Sequence, residues 1–181
     1  MSQNNNRHLS DRLIRTIEHN AEEFAQGTVK KLQSSPRTHL YHKLSHNEVH
    51  DRCYEIYHNL GLWLWEKSDQ AIQERYNELG ERRCEEGIPL AQVEWALILT
   101  KERLLEYLEG CGIVDSAMDL YQQQEFVRLI THFFDRAVCY TAEGYERQAS
   151  AKTTNGEEAA VRPARKLWPR TSLHRQAHPS R

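Results

Sequence analysis

The segment LGERRCEEGIPLAQVEWALILTKERLL, residues 79–105, decides the fold of this chain. It contains the end of one predicted helix, a tight connection and most of a second helix. Gly87 stands where the C-terminus of a helix favours a left-handed residue. Pro89 follows at or near the first position of the next helix, where its missing N–H costs nothing. The segment therefore predicts a helical hairpin with a well-specified turn.

The second helix of this hairpin is apolar on more than one side. One broad face is predicted to carry Val93, Ala96, Leu97, Thr100, Leu104 and Leu108. Trp95, Ile98 and Leu99 lie mostly outside that face. A helix that is apolar on both sides lies inside a bundle or at an interface. Trp95, Ile98 and Leu99 are therefore predicted interface residues.

Helical periodicity extends over most of the remaining chain, and no alternating strand pattern is present. The predicted helices span about 11–34, 45–67, 69–86, 89–110 and 116–148. Ser45 and Glu48 have the spacing of a capping box at the start of the second helix. The sequence thus predicts an all-α fold, a single bundle of about five long helices over residues 11–148. Residues 1–10 and 149–181 are predicted to be disordered.

The cysteine pattern and the absence of enzyme motifs indicate the cellular compartment and the kind of activity to expect. The four cysteines form no CxxC pair, which indicates free thiols in a reducing compartment. The N-terminus lacks the order of a signal peptide, and no stretch is long enough for a membrane span. These features predict a cytoplasmic protein. No nucleophile elbow, phosphate loop or zinc-protease motif is present, so we expect no enzyme activity.

Charge is distributed unevenly along the chain. The net charge is −2, and from Ala159 onward the sequence has six Lys or Arg residues and no acid. The remainder of the chain is therefore strongly acidic, which disfavours nucleic-acid binding by the folded part. The basic tail interleaves Trp168 with arginines, as some segments that bind nucleic acid or anionic membranes do. A solvated, disordered tail is the alternative.

Histidines concentrate between residues 39 and 58. On a helix that starts near His46, His50 lies one turn away and Cys53 is close to the same face, so a metal could reach all three. Haem or metal binding through these residues, or through His132 in the last helix, is one hypothesis. Ordinary surface or capping histidines are the other. The first hypothesis makes the protein a cofactor-binding sensor, and the second leaves it without a cofactor.

Two tryptophans mark another candidate interface. Trp63 and Trp65 are two residues apart, so on a helix one of them must face outward. An apolar surface of this kind favours a homodimer or another protein partner. Coverage by a neighbouring helix is the alternative.

Two charged residues interrupt apolar helical faces, namely Arg83 and Asp135. Buried charges need partners. We expect the two residues to pair with one another or to cap carbonyls across helices, and in this way to fix packing rather than catalyse a reaction.

A family resemblance rests on two groups of residues. The first is Leu79-Gly80, Arg83, Gly87-Ile88-Pro89-Leu90 and Val93. The second is Phe133-Phe134-Asp135-Arg136-Ala137, Tyr140 and Gly144-Tyr145-Glu146. In order and separation they resemble the N-terminal domain of RsbRD-type co-antagonists of the RsbT kinase, over about residues 11–148.

The resemblance implies a helical sensor or regulatory module in stress or sigma-factor-type regulation. It implies a globin-like fold in which the haem pocket is generally not used, and it supplies no catalytic residues. Family members commonly carry a C-terminal output domain, whereas the tail here is too short to fold as one. We therefore expect action through a second chain.

Overall fold

The computed structural model describes residues 7–110 and 116–160, and within them every regular element is helical, which confirms the predicted all-α class. The α-helices are α1 (Arg7–His19), α2 (Ala21–Ser34), α3 (His46–His58), α4 (Asp69–Glu85), α5 (Leu90–Gly110) and α6 (Ala117–Ala160). A 3₁₀ segment (Pro36–Lys43) precedes α3, and a π turn (Leu62–Glu66) precedes α4. The basic residues 161–181 lie outside the described residues.

The corner between α4 and α5 forms as predicted. Gly87 has φ +72°, the left-handed conformation that glycine adopts without steric cost. Its N–H donates to the Cys84 carbonyl at 3.1 Å, and the Ile88 N–H donates to the Arg83 carbonyl at 3.0 Å. These two bonds make a Schellman motif, and Ile88 is buried beneath it. Pro89 then stands immediately before α5.

The first predicted helix is in fact two helices. Asn20 leaves the helical conformation, with φ −103° and ψ 20°, and its side-chain amide donates to the Thr16 carbonyl at 2.8 Å. Ile17 and Ala21 are buried on either side of this break. Because the apolar positions continue in step across Asn20, periodicity alone did not reveal it.

The start of the fold lies earlier than predicted, and its end lies later. α1 begins at Arg7, inside the segment 1–10 that was predicted to be disordered, and Leu9 and Ser10 are buried. Packing of Leu9 into the core outweighs the polar composition around it. At the other end, α6 continues past residue 148 to Ala160, and the Lys152 ammonium group on this extension donates to the Cys84 carbonyl at 2.9 Å.

Some of the helix caps predicted from the sequence form, and one does not. The Ser68 hydroxyl accepts a hydrogen bond from the Ala71 N–H at 3.2 Å at the start of α4, and the Ser116 hydroxyl accepts one from the Asp119 N–H at 3.1 Å at the start of α6. Ser45 occupies the N-cap of α3 but makes no side-chain cap. The predicted capping box is therefore not formed, since Glu48 faces two arginines instead.

α4 and α6 pack closely against one another. A Cβ atom added to Gly80 would lie 2.0 Å from the Thr141 carbonyl oxygen, and one added to Gly144 would lie 2.2 Å from the Asn77 carbonyl oxygen. The two backbones thus touch at a crossing that only glycine permits. Aromatic residues Trp63, Tyr76, Phe133 and Phe134 fill the core beside it. None of the described helices has the length and hydrophobicity that a membrane span requires.

Candidate functional site

Two arginines of α4 connect this helix to α3, and we call this contact the α3–α4 seam. Arg83 is 1% exposed, and its Nη1 donates to Glu48 of α3 at 3.1 Å and to Glu86 at 2.5 Å. Further along, Arg75 pairs with Glu55 of α3. Long charged side chains therefore bridge α3 and α4.

The predicted pairing of Arg83 with Asp135 is wrong. Asp135 has a side chain that is 60% exposed, and it binds Lys101 of α5 at 3.1 Å. Arg83 instead reaches the acidic first turn of α3 and stacks over Tyr41 of the 3₁₀ segment, with 5.6 Å between the guanidinium carbon and the ring centroid. Arg83 thus contacts α3 and the 3₁₀ segment, and its role in fixing helix packing stays a prediction.

A small cavity lies beneath the α3–α4 seam. It has a volume of about 50 Å³ and is lined mainly by aliphatic side chains, with Arg83, Cys53 and Thr100 among its polar neighbours. Ligand pockets for organic molecules typically measure about 300–1,000 Å³. The cavity therefore has room for water or a comparably small molecule only.

Haem does not fit this interior. The cavity is much smaller than a porphyrin, and none of the described histidine side chains is buried, so no imidazole points into the core. His132 lies on the exposed side of α6. The core cavity thus supplies neither the space nor the axial ligand that haem binding requires.

The histidines of α3 form an aromatic ladder along its outer face. His46, His50, Tyr54 and His58 stack one turn apart, with ring centroids 6.4, 6.3 and 5.0 Å from one neighbour to the next. His50 Nε2 also lies 3.2 Å from a Glu22 carboxylate oxygen. The ladder explains the histidine spacing as ring packing on a helix surface.

Cys53 does not join His46 and His50. It is buried on the inner side of α3, and burial raises the pKa of its thiol to about 12. Within the residues that the structure describes, no three His, Cys, Asp or Glu side chains come together as a metal site would require. The proposed ligand set is therefore not assembled, because α3 places Cys53 on its core face and the histidines on its solvent face.

The five predicted interface residues divide between core and surface. Trp63 and Leu99 are buried within the chain, and Trp95 is partly covered by Arg37, whose guanidinium carbon lies 3.9 Å from the ring centroid. Ile98 is half-buried. Trp65, 48% exposed, is the one of the two neighbouring tryptophans that faces outward.

An exposed apolar patch that sequence reasoning missed lies at the start of α6. Met118, Leu120 and Tyr121 are 54%, 48% and 52% exposed. The helical register contained this signal. At about 100° per residue, Tyr121 lies about 140° from the buried Phe126 in one direction around the helix, and Leu120 lies about 120° from it in the other. Neither residue therefore belongs to the buried stripe. We call these three residues the α6 patch.

Fold and contacts together define a closed helical domain whose buried polar groups hold helices to one another. The family model described as "RsbT co-antagonist protein rsbRD N-terminal domain" matches residues 22–160. The match covers well over half of the chain, so the chain belongs to this family, as the residue resemblance predicted. The family is a regulatory and signalling one.

Neither the curated proteins nor the solved structures contained a match to this chain. The matched range begins in α2, so α1 (Arg7–His19) precedes it. At its other end the match includes the whole described length of α6.

Proposed function

We propose that this chain is a non-catalytic, cytoplasmic regulatory domain that acts by binding other proteins, including a second copy of itself, in stress or sigma-factor-type regulation. The observation that carries the proposal is the α6 patch, three large apolar side chains exposed at one end of a regulatory-family domain. Large apolar side chains exposed at one end of a helix favour a protein contact there. Buried Arg83 and Tyr57, by contrast, make hydrogen bonds that join helices within the domain.

A homodimer through the α6 patch predicts a mass that depends on concentration. Sedimentation velocity on the full chain should show a dimer that Tyr121→Glu shifts to monomer, because a buried carboxylate opposes association. Thr153→Glu adds the same charge to an exposed position near the other end of α6. This control should leave the dimer intact. A wild-type chain that stays monomeric at all concentrations would rule out the homodimer.

A regulatory partner is the second part of the proposal. The family name describes co-antagonists of RsbT, and we extend the same class of partner, a kinase of the RsbT type, to this chain. Biolayer interferometry with purified RsbT kinase and the full chain tests it. Saturable binding that Tyr121→Glu weakens and Thr153→Glu does not would support the proposal, whereas no binding would remove this partner.

A further inference from the structure

A surface groove lies where α1 meets the end of α3 and the π turn. It has a volume of about 460 Å³, and its walls come from α1 and from residues 58–66. Three of its lining side chains are carboxylates, those of Asp11, Glu18 and Glu66, and Arg15 is the arginine on its wall. The groove is therefore acidic, and we call it the α1 groove.

The π turn places an exposed indole at the edge of this groove. The Lys67 N–H donates to the Leu62 carbonyl at 2.9 Å, five residues back, which widens the helix locally. The widened turn buries Trp63 against Phe133 and leaves Trp65 48% exposed. An indole face beside carboxylates attracts arginine and lysine side chains through both cation–π and ionic interactions.

The carboxylates of the α1 groove take no part in the ion pairs that join the described helices of the domain. Glu55, Asp69 and Asp135 each pair with an arginine or lysine on a neighbouring helix. Among the ion pairs of the described residues, none involves the three groove carboxylates. Glu18 accepts a hydrogen bond from the Gly61 N–H at 2.9 Å, and Arg15 is one cation against three carboxylates, so the groove keeps a net negative charge.

The sequence of this chain contains a segment with the complementary chemistry. Residues 161–181 have six arginines or lysines, no acid, and one tryptophan, Trp168. We infer that this basic segment docks intramolecularly into the α1 groove, with its cations on the groove carboxylates and the Trp65 ring. The inference is independent of the proposed function, and it uses a wall, α1, that precedes the family match.

The segment is long enough to reach the groove. Phe133 of α6 contacts Trp63 in the π turn, with ring centroids 6.1 Å apart. From Phe133 to the end of α6 at Ala160 the helix rises about 40 Å. Twenty-one residues in an extended conformation span about 70 Å. The distance back along α6 is therefore well within the reach of residues 161–181.

Photocrosslinking of the full chain tests this docking. The photoreactive residue p-benzoylphenylalanine replaces Trp168, and crosslinked peptides are identified by mass spectrometry after irradiation. We expect crosslinks to residues 11–18 and 58–66. An equal mixture of ¹⁵N-labelled and unlabelled chains should give same-isotope crosslinks only. Crosslinks to another surface, or crosslinks between labelled and unlabelled chains, would overturn the inference.

Charge reversal separates specific docking from general attraction to an acidic domain. The double variant Asp11→Arg and Glu66→Arg should lower the crosslink yield at least fivefold. Glu23→Arg with Glu109→Arg makes the same charge change at exposed positions outside the groove, and should keep the yield within twofold. Circular dichroism checks that both variants fold. Equal losses in the two variants would overturn docking at the groove.

Discussion

α4 contacts α6 and α3 in different ways. Against α6, the backbone of Gly80 lies so close to Thr141 that no side chain fits between the helices. Against α3, Arg83 and Arg75 span the gap to glutamates above a small cavity. Touching backbones hold α4 rigidly against α6 through their shape. Long side chains tolerate displacement better than touching backbones do, so the charged contacts hold α4 more loosely against α3.

The largest expected effect tests the close contact. In Gly80→Ala the new Cβ would lie 2.0 Å from the Thr141 carbonyl oxygen, and both atoms belong to helix backbones that cannot turn aside. We expect the free energy of unfolding to fall by about 3 kcal/mol or more. Urea unfolding followed by circular dichroism measures it.

The control for this variant is Gly110→Ala. A Cβ at that position would meet nothing within 4 Å, so the change should alter the free energy of unfolding by less than about 1 kcal/mol. Similar losses in both variants would contradict a glycine-dependent crossing of α4 and α6.

The second effect tests the α3–α4 seam. Arg83→Met removes a buried guanidinium and leaves Glu48 and Glu86 without their shared partner. Because these carboxylates keep partial contact with solvent, we expect a loss of about 2–3 kcal/mol, below that of a fully buried pair. Arg147→Met removes an arginine that is 59% exposed and pairs with Glu81, and it should cost under about 0.5 kcal/mol. Equal losses, measured by urea unfolding, would mean that the seam contributes no more than a surface ion pair.

The third effect concerns the opposite side of α3, where it packs on α2 and α5. Tyr57→Phe removes a hydroxyl that lies 2.5 Å from the Thr28 hydroxyl and donates to the Thr100 carbonyl at 3.3 Å. A loss of about 1 kcal/mol is expected in the same urea measurement. The matched change Tyr54→Phe, on the outer face of α3, should have little effect. If Tyr54→Phe cost as much, the buried hydroxyl pair would not be what holds α3 in place.

The smallest expected change in stability concerns Asp69, at the start of α4, where this helix meets α6. Hydrogen bonds from Tyr140 and Arg136 hold the pKa of Asp69 below its ordinary value of 3.8. A lowered pKa stabilises the fold at pH values above the ordinary one, and this contribution disappears as the pH falls through the folded-state pKa. The urea midpoint of the wild type should therefore be higher than that of Asp69→Asn at pH 7, and the two midpoints should converge in acid. A difference that stays constant from pH 7 to pH 2.5 would show that ionisation of Asp69 has no part in it.

Local signals made the α4–α5 corner predictable from sequence. Gly87, Ile88 and Pro89 specify their own conformation through a left-handed residue, a buried anchor and a missing N–H, and no distant residue is needed. The helical class followed from periodicity for the same reason. Asn20 escaped notice because its break leaves that periodicity in step.

Pairwise choices between helices were not predictable in this way. The sequence required a partner for Arg83, but glutamates on several helices were available, and the choice of Glu48 depends on how α3 crosses α4. Likewise, the spacing of Trp63 and Trp65 required one outward ring without saying which. The sequence contains Gly80 and Gly144, but it does not show that α4 and α6 cross at these two residues.

The length of α6 gives the glycine crossing a further consequence. From Gly144 to the first residue of α6 the helix rises about 40 Å as one rod. A tilt of about 5° at the crossing therefore carries Met118 and Tyr121 through about 3–4 Å. We therefore expect the way α4 packs on α6 at the crossing to set the position of the α6 patch, together with Phe126 and Ile130, which are buried in the core between the crossing and the patch.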